Sequence, residues 1–244
     1  MPLIKSIADV VPGLGKFTFD ASLGKIFVTS GTGVIGYRVA MSLLEAGHKD
    51  VRVGIWRGLA TSDHDENEEN VEASFADTIA KTLEDKGAEI VEFDWSNTES
   101  YSTVLTGVKS VFCTIPHMED WSDIFPAFLR KCKEKKIEHF VKISFLRKGE
   151  AAERYRTNVP FVKFHSTCDD LLEQAKKDSR ISYTILCTSH LMPTPLIHQG
   201  KELRENHKYI TASYGMGVNY VSPNDVADAA MVVLLDLKTH RNKV

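Results

Sequence analysis

The chain is short of the residues that build metal and redox sites. Its 244 residues include four cysteines, Cys113, Cys132, Cys168 and Cys187, with no C-x-x-C pair among them, and nine histidines with no H-x-x-x-H spacing. That pattern argues against a zinc site and a dithiol motif. Each cysteine falls in an apolar strand or helix pattern, so all four are expected to be buried thiols in a reducing compartment. Net charge is small, -3, which argues against a general nucleic-acid surface. No apolar run reaches the roughly 18 residues that cross a bilayer, and residues 1–20 lack the basic and apolar regions of a secretory signal. The expectation is a cytoplasmic protein with no membrane and no nucleic-acid partner; an organelle-targeting segment already removed would leave no trace. Internal repeats and low-complexity linkers are also missing. What remains is ordinary in bulk, 43% hydrophobic and 26% charged, and long enough for one α/β domain with a substantial core.

The most informative stretch is Lys25-Ile26-Phe27-Val28-Thr29-Ser30-Gly31-Thr32-Gly33-Val34-Ile35-Gly36. Residues 26–29 read as a buried strand. They run into Gly31-x-Gly33-x-x-Gly36, and an amphipathic helix follows with Val39, Ala40, Leu43 and Leu44 on one face. A strand feeding a glycine turn aims backbone N–H groups, and the positive end of the next helix, at a pyrophosphate. The competing reading is a plain glycine-rich turn with no ligand.

Further strands are expected at 51–56, 89–93, 110–115, 139–144 and 181–187, and helices at about 71–85, after Ser122 or Asp123, and at about 165–176. The acidic stretch 61–70 reads as an exposed loop. Ser222-Pro223-Asn224-Asp225 is a helix start, with a capping serine and proline at the first helical position. Val226, Ala229, Ala230, Val233 and Leu234 supply that helix's buried face. Strands alternating with helices predict an α/β, Rossmann-type, doubly wound parallel sheet. The expectation is a single NAD(P)-binding domain over 1–244, with an N-terminal extension at 1–23 and a small C-terminal, substrate-side lobe at about 188–222.

The glycine segment resembles the V-T-G-A-T-G-x-x-G opening of the extended and atypical short-chain dehydrogenase/reductases, with Ser30 in place of the first glycine. With residues 87–94, residues 105–112 (similar to L-x-G-V-D-x-V-F) and residues 221–230 (similar to a D-V-A-x-A-A helix), the chain looks like the NmrA-like group of that superfamily. These are NAD(P)-binding proteins that include quinone reductases and redox-sensing regulators. The chain ends soon after the last of these segments, so the group's C-terminal substrate-covering segments look shortened.

Charge argues for the cofactor. A dinucleotide fold that selects NAD carries an acidic residue at the end of the second strand, on the ribose 2′-hydroxyl; here Trp56-Arg57 stands there. An arginine pairs with a 2′-phosphate, so NADP(H) is favoured, the alternative being that Arg57 only solvates a strand end. By the resemblance, Asp94 sits beside the adenine or else caps the following loop, and Thr114, Ile115 and Pro116 line the nicotinamide side or merely punctuate a loop. Ser30, Gly31, Thr32, Gly33, Val34, Ile35 and Gly36 form the phosphate turn.

The superfamily's usual Tyr-x-x-x-Lys pair is missing at Tyr37, Tyr101, Tyr155, Tyr183 and Tyr214. In its place stands His165-Ser166-Thr167-Cys168-Asp169, similar to an H-x-x-x-E in NmrA-like quinone reductases. Residues four apart share a helix face, so Asp169 could orient the imidazole, and Ser144 matches the superfamily's active-site serine. A histidine at a helix start is otherwise a partly buried surface group. Two functions follow: an NADPH-dependent reductase of a small carbonyl or quinone acceptor, or a non-catalytic NADP(H)-sensing regulator read by a protein partner.

Overall fold

A computed structural model of the protein describes residues 23–57, 66–116, 121–145, 159–178, 181–210 and 218–244. Residues 1–22, the acidic residues 61–65, Tyr155 and Tyr214 lie outside them. The elements in chain order are β1 (Lys25–Val28), α1 (Gly36–Glu45), β2 (Val51–Ile55), α2 (Glu66–Asp85), β3 (Glu89–Glu92), α3 (Tyr101–Val104), β4 (Val108–Cys113), α4 (Trp121–Glu134), β5 (His139–Ser144), α5 (Pro160–Asp178), β6 (Ser182–Cys187), β7 (His190–Leu191), α6 (Thr194–Asn206), β8 (Tyr220–Val221), α7 (Pro223–Leu235) and α8 (Leu237–His240).

Six strands pair in parallel in the order β3-β2-β1-β4-β5-β6. This is the doubly wound arrangement that alternation predicts, with the order reversing between β1 and β4, where such sheets bind ligands. The two-residue side-chain period divides the core between the faces. Ile26, Val28, Phe112, Val141 and Ile143 belong with Val39 and Leu43 of α1 and Val226 and Ala230 of α7. Phe27, Val111, Cys113 and Phe140 belong with Phe125 and Phe128 of α4 and Phe164 and Cys168 of α5. By the same period Phe140, Lys142 and Ser144 share the α4/α5 side of β5. The segment after β6 forms a separate two-stranded sheet, β7-β8, with α6 between its strands. None of the described helices is long and apolar enough to cross a membrane.

Ser222 caps α7 as expected: its hydroxyl accepts from Asn224 N at 3.1 Å, and Pro223 opens the helix. The α4 stripe Ile124, Phe125, Phe128, Leu129 and Cys132 is buried. Other expectations need correction. Helix α2 starts at Glu66, so residues 66–70 are helical rather than loop; glutamate is a good helix former. Helix α4 begins at Trp121, so Ser122 and Asp123 lie within its first turn. In α7 the buried positions include Ala227 and Met231, while Ala229 is exposed. Strand β4 ends at Cys113 because hydroxyls replace its ladder: Thr29 Oγ1 accepts from Thr114 N at 3.2 Å, and Thr29 Oγ1 and Ser30 Oγ both donate to Thr114 O at 3.1 Å. Helix α5 opens at Pro160, a residue suited to a first turn, which puts His165 in its second turn rather than at its start. Cys187 is exposed at the end of β6, whereas Cys113, Cys132 and Cys168 are buried. Burial holds the Cys113 and Cys132 thiols well above their usual range and pushes Cys168 up to about 12, so all three stay protonated.

Candidate functional site

Two cavities meet at the carboxyl ends of the strands. The first, ≈ 500 Å³, lies over the β1/β4 switch point and is lined by Ser30, Thr32, Gly33, Val34, Trp56 and Asp94, among others. The glycine turn that walls it is tightly built. Gly31 N donates to Gly54 O at 2.8 Å, tying the turn to β2. A Cβ added at Gly36 would lie 1.9 Å from Ser30 O, so that glycine is required by the close approach of α1 to β1. At Gly33 an added Cβ would lie 3.3 Å from Ser30 O, a tight approach, and 3.7 Å from Ser30 Cβ, and the position also lines the cleft, where a side chain would take space from a ligand. No side chain caps the N-terminus of α1, and its first turn holds no acidic residue; its N–H groups and dipole remain suited to an anion.

The rest of the cleft is mixed. Asp94 lines it and also accepts from Ser96 N at 2.8 Å, so it does cap the following turn. Thr114, Ile115 and Pro116 form its far wall. Arg57 stands at the exposed end of β2, where its Nε pairs with Asp77 Oδ1 at 2.7 Å; its neighbour Trp56 is the residue that lines the cleft. Trp95 lines the cleft as well, and its buried indole Nε1 has no hydrogen-bond partner among the described residues. The bare Gly33 and the uncapped α1 fit a dinucleotide.

The second cavity, ≈ 850 Å³, adjoins the first through Ile35, Thr114, Ile115 and Leu191, which line both. Phe145, Phe161, His190 and Ser144 are among its walls, and so is His165. Its far side comes from the lobe after β6, through His190, Thr194, His198 and Asn219. Edge-on ring contacts run from His165 to Phe161 (4.5 Å), on to Phe145 (6.1 Å) and to His190 (5.9 Å).

Beneath this cavity lies a buried polar cluster. Ser144 Oγ donates to Asp169 Oδ2 at 2.6 Å, and Lys142 Nζ donates to Asp169 Oδ1 at 2.9 Å and Ile143 O at 3.1 Å. Lys142 Nζ also lies 3.1 Å from His165 Nδ1. Period two on β5 aligns Lys142 with Ser144, and period four on α5 aligns His165 with Asp169. His165 is 6% exposed and Asp169 fully buried, so the reading of His165 as a surface group does not hold. Helix spacing and the family resemblance point to His165, Asp169 and Ser144, but not to Lys142. Its signal was a lysine inside the near-continuous apolar run of a central strand, a place where lysine is almost never buried unpaired.

The chain matches the NmrA-like family over residues 22–242. Prestalk A differentiation protein A of Dictyostelium discoideum is 27% identical over 220 residues, 87% of this chain and 60% of that protein. The chain therefore spans about three-fifths of the length of this relative. Among solved structures, the triphenylmethane reductase of Citrobacter sp. complexed with NADP(H) is 21% identical, with TM-score 0.65 over 90% of this chain and 68% of that one. The NADPH-dependent quinone oxidoreductase of Escherichia coli complexed with NADPH is 18% identical, with TM-score 0.67 over 90% and 67%. These structures share the fold. With nearly all of its described residues inside the matched span, the chain belongs to the NmrA-like family.

Proposed function

We propose that the protein is an NADPH-dependent reductase of a planar, quinone-like acceptor. The observation that carries this reading is the junction of a cleft built around a bare Gly33 with an aromatic-walled cavity containing His165. In this reading the turn of Ser30, Gly31, Thr32, Gly33, Val34, Ile35 and Gly36 holds the pyrophosphate, and Arg57 meets the 2′-phosphate once it leaves Asp77. Asp94 flanks the adenine, and Thr114, Ile115 and Pro116 flank the nicotinamide. When bound, NADPH supplies a hydride. His165 offers a hydrogen bond to the acceptor oxygen on which negative charge develops, while Phe145 and Phe161 hold the ring of the acceptor. Ser144 and Asp169 fix the floor below. A cavity of ≈ 850 Å³ suits an aromatic ring system better than a small carbonyl. Small molecules are then the partners. The two NADP(H)-bound neighbours support the cofactor, as reductases of the same fold.

One observation favours a second reading, a regulator that binds NADP(H) without turnover: among the described residues, no tyrosine lines either cavity. Steady-state NADPH oxidation against a panel of quinones and ketones separates the two. The reductase reading expects turnover with aromatic quinones, lowered ~10²–10³-fold in His165→Ala with NADPH affinity close to that of the parent. Undiminished turnover in the variant removes His165 from the chemistry. Tight NADPH binding with no turnover on any acceptor establishes the regulator.

A further inference from the structure

Lys142 has no part in the chemistry above, yet it is fully buried in a central strand. An ammonium has three N–H donors and no acceptor. Three acceptors surround it: Asp169 Oδ1 at 2.9 Å, Ile143 O at 3.1 Å and His165 Nδ1 at 3.1 Å. Asp169 supplies the opposite charge, with Ser144 Oγ on its other oxygen at 2.6 Å. Nδ1 of His165 can then only accept, which puts the single ring proton on Nε2. A second ring proton would have to displace the Lys142 donor and would set one buried cation beside another. Phe161 and Phe164 meet the imidazole edge-on, with centroids at 4.5 and 4.8 Å, and hold its plane.

We infer that Lys142 is a positioning residue that locks His165 as the neutral Nε2–H tautomer, a hydrogen-bond donor to the reduced acceptor's oxygen rather than an imidazolium acid. The electron pair of the transferred hydride leaves an oxyanion on the acceptor. The Nε2–H bond stabilises that charge, and the proton that completes the reduction comes from water. The role toward an acceptor rests on the function proposed above; the state of the ring does not.

The charged and titratable groups around the imidazole come from several elements. Lys142 of β5 and Asp169 of α5 form the ion pair, and the buried thiols of Cys113 in β4 and Cys168 in α5 lie in its electrostatic reach. Cys187 of β6, His190 of β7 and His198 of α6 share the cavity.

Nitrogen NMR of the full chain labelled at histidine, with the His165 signals assigned through His165→Gln, tests the lock. The parent should keep the Nε2–H tautomer, uncharged, from about pH 5 to 8. Lys142→Met should free Nδ1, and the His165 ring should then populate the Nδ1–H tautomer or take up a second proton. Lys142→Met/Asp169→Leu should do the same without leaving a lone buried carboxylate. A parent ring that titrates near 6.5, or that carries its proton on Nδ1, overturns the inference, and the parent spectrum alone decides this if neither variant folds. An unlocked ring in an active quinone reductase refutes the lock and leaves the function standing. A locked ring in a protein that reduces nothing supports the lock and refutes the function.

Discussion

Arg57 shows how much a single residue decides and where its sequence position stops being informative. Its place at the end of β2 was legible, because the acidic residue of an NAD-selective fold belongs there. Its pairing with Asp77, 20 residues away on α2, was not, since neither spacing nor composition relates a strand end to a helix face. In the proposed site a 2′-phosphate would therefore compete with Asp77 for the guanidinium. Hydrogen bonds to charged groups contribute about 1.5–3 kcal/mol, or roughly ten- to a hundredfold in affinity. Calorimetric titration should find NADPH bound more tightly than NADH, with that preference lost in Arg57→Ala. Asp77→Asn should strengthen NADPH binding and leave NADH unchanged. Equal affinities in the parent would remove Arg57 from the site. Lys142 illustrates the opposite case: its residue type and burial were both in the sequence pattern, but its partners are 23 and 27 residues further along on another element.

At the scale of elements, the strand–turn–helix from β1 to α1 was the most legible feature, because each glycine has a separate geometric reason. Gly36→Ala should overpack the approach of α1 to β1, costing about 1–3 kcal/mol or more in urea unfolding. Gly33→Val should fold by circular dichroism and lose dinucleotide binding, since its side chain enters the cleft. Normal cofactor binding by a folded Gly33→Val protein would move the site elsewhere. The order of strands was also legible, because alternation of strand and helix leaves few right-handed ways to wind a parallel sheet. Element ends were less so. Strand β4 stops where the hydroxyls of Thr29 and Ser30 take over its ladder, and α5 starts a turn and a half earlier than its apolar stripe suggested. The first end is set by contacts and the second coincides with a proline rather than with the apolar stripe, and the earlier start puts His165 in the second turn, in the cluster.

For the whole molecule, the adjacency of the two cavities was the least legible feature, because it depends on the chain returning through β7, α6 and β8 over the strand ends. The charge state of the core sets a separate expectation. His139, at the start of β5, is buried against Ser182 Oγ (2.7 Å) and Thr184 Oγ1 (3.1 Å). Burial, reinforced by the nearby Arg241 and His240, lowers its pKa from 6.5 to about 4. As pH falls through 6.5 the unfolded chain takes up this proton and the folded chain does not. Stability is therefore undiminished above 6.5 and is lost progressively down to about 4, at roughly 1.4 kcal/mol per pH unit. Urea unfolding across that window should show this slope, and His139→Leu should flatten it; an unchanged slope would mean that His139 is not the group responsible.

Single-turnover oxidation of pre-bound NADPH after mixing with an aromatic quinone asks whether hydride leaves a cofactor held in the cleft for an acceptor held in the adjoining cavity. Complete oxidation of the bound cofactor is expected, slowed when the transferred hydrogen of NADPH is replaced by deuterium and slowed further in His165→Ala. Tightly bound NADPH that stays reduced in the presence of every quinone offered would contradict it.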